Sequence, residues 1–407
     1  MGQHCKARLR AAVLGLLAVA GAAGTAAAQT IPSELLVTTQ RDLIDTEFSQ
    51  ARGRIVWVDN AGSLWTAGVD PDTGLFVPAN GKGTLIDPSA MSMADFHLFG
   101  NGPEWISTAS GDQIVYTKFV DGAAHTRENA RLALAQQVKG GGWTFGFLSQ
   151  LQRAVPYASH DWRDPSPRIS YVDPSGRHYW RNLGDPSSEE RLVNYPAGQY
   201  FMAFRFADGM RGGTLPMKVD GVQQVFYHDL DANTDTQLTY DSGQKDQSSR
   251  GWIWDAPEFG NDRTLATVAD GTELRIYREV PGQAAWELVR SIRTPQNGII
   301  NSVENFVYNG SSYLFFVASV PPATYPSQLY LANIDPENPQ LLQLTPDLPL
   351  RVRVDPEVFF TNSGPYIYYN RMTLSNAGNP PYCMKCNEGI FRSYTGLVPQ
   401  AKPIRAR

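Results

Sequence analysis

"DPEVFFTNSGPYIYYNR", Asp355 to Arg371, carries the pattern that decides the fold. A turn leads to a Glu with an aromatic close behind, then a polar or Gly-containing loop, then a β-rich strand. The same opening recurs in "DTEFSQARGRIVWVDN" from Asp45, "NGPEWISTASGDQIVYTK" from Asn101, "DAPEFGNDRTLATVADG" from Asp255 and "SVENFVYNGSSYLFFVA" from Ser302. Its Glu falls at Glu47, Glu104, Glu258, Glu304 and Glu357. The long interval after Glu104 has room for two more units. They are "VPYASH…RISYVDPSGRHYWRNL…ERLVNY", Val155 to Tyr195, and "QYFMAFRF…VQQVFYHDLDANTDTQLTY", Gln199 to Tyr240. Seven units of about fifty residues fit the period of propeller blades.

Each unit reads as four short strands. In the fifth they are expected at Glu258-Phe259, Thr264–Ala269, Glu273–Arg278 and Trp286–Ile292. In the sixth they are expected at Glu304–Tyr308, Ser312–Ala318, Gln328–Ile334 and Leu341–Thr345. Val, Ile, Tyr, Phe, Trp and Thr dominate them, and the dipeptides Asp121-Gly122, Asp220-Gly221, Asp270-Gly271 and Asn309-Gly310 mark turns. The one segment with helical potential, Thr126 to Gln137, is expected to be a strand after a loop. A lone four-stranded sheet leaves both faces exposed; seven arranged radially bury each face on the next. The expectation is therefore all-β, a single seven-bladed β-propeller. The last unit lacks a clear fourth strand, and Ser33–Thr39, "SELLVTT", is a strand with no unit of its own. It is expected to complete the last blade; the alternative is an untethered leader.

The chain opens with Lys6, Arg8 and Arg10, an apolar run from Ala11 to Ala23, and Ala26-Ala27-Ala28 before Gln29. That order is a secretory signal peptide over 1–28; an uncleaved anchor is the alternative. The division that follows is 29–44 for the closing strand, 45–398 for the propeller and 399–407 for a tail. A secreted or periplasmic monomer is expected, with no membrane span after cleavage. The net charge of −5, with both signs interspersed, argues against nucleic acid.

"VFYHDLDANTDTQLTYDSG" from Val225 and "QLYLANIDPENPQLLQLTPD" from Gln328 resemble the strand–Asp–strand–"LT" pattern of TolB-like periplasmic propellers. The resemblance implies the fold and export. The family's Ser-Pro-Asp-Gly turn is replaced here by Gly260-Asn261-Asp262-Arg263 or Asn309-Gly310-Ser311.

If each recurring Glu starts an inner strand, then Glu47, Glu104, Glu258, Glu304 and Glu357 ring one mouth of the channel, with Asp45, Asp255 and Asp355 just before three of them. Pro ahead of Glu in "GPEW", "APEF" and "DPEV" is read as a strand start. Two chemistries suit converging carboxylates: oxygen ligation of Ca²⁺, and acid–base or nucleophilic attack on a glycosidic bond by a pair such as Glu258 and Glu357. The alternative is structural, each Glu bonding the next blade. No cofactor is required by this pattern.

Residues that break the sevenfold symmetry are further candidates. "ADFHLFG" places His97 beside Asp95, and "SHDWRDPSP" groups His160, Asp161, Arg163 and Asp164. A His beside a carboxylate suits general-base or metal chemistry. The polar stretch Asp241–Asp255 carries Lys245, Arg250, Trp252 and Trp254, which suit a sugar or acidic polysaccharide by stacking and charged hydrogen bonds. Blade packing is the alternative for the two Trp. Cys383 and Cys386, in "CMKC", are expected to form a local disulfide in an exported protein. The function expected is binding of a glycan or protein ligand at the funnel face. A carbohydrate-active hydrolase or lyase using the same groups is the alternative.

Overall fold

The computed structural model describes residues 32–38, 43–78, 83–92, 95, 98, 101–108, 111–158, 167–192, 203–205, 211–240, 251–348, 350–374 and 387–400. They form seven antiparallel sheets, the blades of a β-propeller. The innermost strands are Ile44–Ser49, Glu104–Thr108, Ala154–Ala158, Ala203–Arg205, Trp252–Ala256, Ile300–Tyr308 and Arg351–Thr361, in blades one to seven. Blades one to six run outward in chain order through three further strands. Blade one has an extra strand, Thr84–Asp87, which pairs with Leu64–Val69. In blade seven the outermost strand is Leu35–Thr38, antiparallel to Asn387–Tyr394.

Local chemistry places the turns. At Asp220-Gly221, Asp270-Gly271 and Asn309-Gly310 both residues have positive φ, the tight hairpin turn whose twist matches paired strands. Asp59 and Asp173 close two other turns. Asp59 Oδ1 accepts the N–H groups of Ala61 and Ser63, and Asp173 Oδ1 accepts those of Ser175 and Arg177. The segment expected to be a strand after a loop is a short 3₁₀ turn, Arg127–Asn129, then strand Ala130–Gln137.

The core lies between blades. Trp254, Ile276, Leu314 and Phe316 pack blade five on six; Phe315, Leu331, Ile367 and Tyr369 pack six on seven; Ile55, Trp57, Phe359 and Tyr368 pack seven on one. Middle strands are covered on both faces. They therefore read as nearly continuous apolar runs, "SSYLFFVA" and "QLYLAN", rather than alternating ones.

The outer strand of blade seven is held by charge as well as by its ladder. Arg353 is fully buried, with Nε 2.7 Å from Glu34 Oε1. Glu34 also pairs with Arg371 at 3.0 Å and accepts the Tyr369 hydroxyl at 2.9 Å. The remaining Arg353 donors reach the carbonyls of Ser327 and Pro346. A buried guanidinium is tolerated only when its donors are matched in this way.

Candidate functional site at the channel

Three of the four inner strands with a jump in pairing share one further irregularity; the fourth is in blade three, from Ala154 to Tyr157. Pairing jumps from Ile44 to Glu47 in blade one, from Asn301 to Glu304 in blade six and from Val354 to Glu357 in blade seven. Each jump is a β-bulge, and inside each lies a non-glycine residue in the left-handed region: Asp45 (φ 55°), Ser302 (φ 48°) and Asp355 (φ 55°). A side chain with a Cβ adopts that conformation at a cost, and bulges re-aim the residue that follows. The Glu is that residue in all three. Blade two has no bulge, and Glu104 opens its strand, paired with Val115. Glu104, Glu304 and Glu357 each stand four residues before the last pair of the hairpin that follows, so they occupy one level of the channel wall.

These carboxyl groups sense one another across four consecutive blades, six, seven, one and two. Burial holds Glu47 well above the ordinary carboxylate range, and the charges of Glu104, Asp45, Asp355 and Glu304 add to it. Burial does the same to Glu357, reinforced by Glu304, Glu47, Asp355 and Glu104. Glu104, only 8% exposed, is pushed up to about 8 by burial, with Asp355 adding and a hydrogen bond from Asn101 opposing. Like charges with little solvent between them cannot all ionise, so the cluster keeps protons at neutral pH.

Polar groups from the connection between blades one and two reach into this arc. Asn101 Nδ2 donates to Glu104 Oε1 at 3.2 Å and to the Pro156 carbonyl of blade three at 2.8 Å. The Gly102 N–H bonds the Asp45 carboxylate, and Trp105 Nε1 donates to the Glu47 carbonyl at 2.9 Å. Among the described residues no three His, Cys, Asp or Glu side chains are grouped so as to hold a metal ion.

Glu258 is elsewhere, which corrects the expected ring of five. The inner strand of blade five is Trp252–Ala256; Pro257 starts a 3₁₀ turn after it, closed by Gly260 at φ 71°. Glu258 therefore lies beyond the far end of the strand. It accepts the Ser312 N–H and, at 2.8 Å, the Ser312 hydroxyl of blade six. Trp252 holds the level of the channel Glu, four residues before the last pair, Ala256–Asp262. The loop assignment of Trp252 and Trp254 is corrected by the same strand. Trp254 is a core residue whose Nε1 donates to Ser312 Oγ at 3.0 Å, and Trp252 packs partly buried beside it. Neither is a free stacking platform on a loop.

Asp95 is bonded to His125, Nδ1 to Oδ2 at 2.8 Å, across thirty residues of sequence that hold no signal for the pair. His97, His160, Asp161, Arg163, Asp164, Lys245, Arg250, Cys383 and Cys386 lie outside the described residues. Asn101 escaped the sequence reading; its only signal was its place three residues before Glu104.

No protein-family model matches the chain, and no curated protein does. Solved structures do. The WD40 repeats of RRP9 superpose with a TM-score of 0.53 at 10% identity, covering 90% of this chain and 98% of that one. The structure of U3-55K gives 0.52 at 11% identity, covering 89% and 99%. A prolyl endopeptidase gives 0.49 at 15% identity over 83% of this chain and 48% of its own, so the chain spans about half that protein's length. No helix among the described residues is long and apolar enough to cross a membrane. At these identities the likeness extends to fold alone: the chain folds as a seven-bladed β-propeller.

Proposed function

We propose that this propeller is an exported binding protein whose channel mouth receives a basic side chain of a protein ligand. One observation carries the reading: carboxyl groups from four consecutive blades act on one another, and with burial they raise the proton affinity of Glu47, Glu104 and Glu357. A cation among them relieves both the repulsion and the burial cost. An ammonium or guanidinium takes carboxylate oxygens at hydrogen-bond distance, so either suits the arc. Export rests on the basic and apolar leader of residues 1–28, and the "LT" units support a TolB-like origin. The test uses the purified chain without its leader, immobilised against Lys/Arg-rich peptides, the same peptides acetylated or citrullinated, and a glycan array. The expected result is binding of the basic peptides alone, weakened by salt and by Glu357→Gln. Equal binding of neutralised peptides, or binding of glycans only, overturns it.

A second reading is favoured by Glu104. A carboxyl that stays protonated to about pH 8 beside ionisable neighbours has the makings of a general acid with a carboxylate partner. Release of reducing sugar or unsaturated uronate from a polysaccharide panel, lost in Glu104→Gln, would establish this hydrolase or lyase reading.

A further inference from the structure

The connection into blade two does more than link sheets. It leaves blade one after Asp87 and runs to Glu104. At its near end Ser92 N and Oγ donate to Asp95 Oδ2 at 3.0 and 2.6 Å, and His125 Nδ1 meets the same oxygen at 2.8 Å. The His125 ring stacks on Phe119 at 4.1 Å and 7°. Arg127 Nε donates to the Leu98 carbonyl at 2.9 Å. The loop after strand Gly111–Phe119 thus grips the connection twice. The nearby cation on that strand, Lys118, is already bound to Asp87 and Ser89. At its far end the connection delivers Asn101 and the Gly102 N–H to Glu104 and Asp45. Asn101, 8% exposed, also anchors to the Pro156 carbonyl, so its amide cannot follow Glu104 if that carboxyl turns away.

We propose that Asn101 is the positioning residue of the channel arc, and that the Asp95–His125 pair holds the connection that delivers it. Asn101 occupies one oxygen of Glu104 and fixes the carboxyl plane, leaving the other oxygen to the ligand. The proposal deepens the binding reading above and rests on it, but its test needs no ligand.

The experiment is a carboxyl ¹³C NMR titration of Glu104 in the whole chain without its leader, alongside thermal melts. Asn101→Ala should move the Glu104 midpoint upward by about one pH unit, the worth of one hydrogen bond to a charged group. His125→Ala should move it the same way by less. His125→Asn, which keeps a donor where Nδ1 was, should restore it. An unmoved or lowered midpoint in Asn101→Ala overturns the role of Asn101. A lower Tm with an unmoved midpoint in His125→Ala overturns the role of the pair and leaves it a loop clasp. Should Asn101→Ala fail to fold, Asn101→Ser, with a donor too short to reach Glu104, gives the same reading. Failure of the basic-peptide assay with a shifted midpoint would sink the ligand and keep the positioning.

Discussion

Blade seven reads Asp355-Pro356-Glu357; blade five reads Asp255-Ala256-Pro257-Glu258, with one more residue between acid and proline. In blade seven the proline lies inside an eleven-residue strand, at a bulge where no ladder bond is required of it. Asp355 takes the strained turn before it, and Glu357 comes out facing the other channel acids. In blade five the strand has already ended at Ala256. The proline starts a 3₁₀ turn, and Glu258 becomes a strut to the Ser312 backbone and hydroxyl of the next blade. Similar letters thus serve the middle of one inner strand and the turn beyond the end of another. What separates them is where the proline's missing N–H can be accommodated.

The bulged strand has a support that blade five lacks: Arg353, two residues before Asp355, fixed by Glu34. Breaking it should give the largest effect. Glu34→Ala leaves a buried guanidinium without its carboxylate and should cost about 3–5 kcal/mol by denaturant unfolding. A loss under 1 kcal/mol would mean the bulge stands unaided.

The second way to sharpen the contrast is pH. Folded Glu104 holds its proton up to about pH 8, whereas its ordinary value is 4.5. Between those values the folded chain binds more protons than the unfolded one, so stability falls as pH rises through that window. Glu47 and Glu357, also raised, act in the same direction. Tm should therefore decline from pH 5 to pH 8.5, and Glu104→Gln should flatten the decline. A wild-type Tm that rises across that range would contradict the burial of the arc.

The smallest effect concerns the strain itself. Ser302 carries the left-handed bulge of blade six without a charge to confuse the reading. Ser302→Gly removes a penalty of about 1–2 kcal/mol and adds part of it back as chain entropy, leaving a gain of about 0.5 kcal/mol. A loss of stability would mean the serine side chain, not the backbone, shapes the bulge.

The sequence made the architecture readable because blade strands are short, apolar and punctuated. The expected strands of the sixth unit, from Ser312, Gln328 and Leu341, begin within a residue of those observed. It also located Glu47, Glu104, Glu304 and Glu357 on inner strands. It misplaced Glu258 because Pro-Glu was taken as a strand start in every copy. That holds for Pro103, while Pro356 is mid-strand and Pro257 lies past the strand's end. Bulges leave no mark in an apolar–polar pattern, so the device that aims three of the acids was invisible. So was the Asp95–His125 pair, which exists only because a blade folds two loops together.

The central claim is that the arc acids are kept for a ligand while Glu258 is scaffold, and one paired measurement tests it most directly. Glu357→Gln and Glu258→Gln are melted at pH 8 and assayed against the basic peptides. Glu357→Gln should match or exceed the wild-type Tm, since a repelling charge is gone, and should lose binding. Glu258→Gln should lose about 1–3 kcal/mol, because its bonds to Ser312 weaken, and should bind as before. The reverse pattern, with Glu357→Gln unstable but binding and Glu258→Gln stable but not binding, would contradict the account.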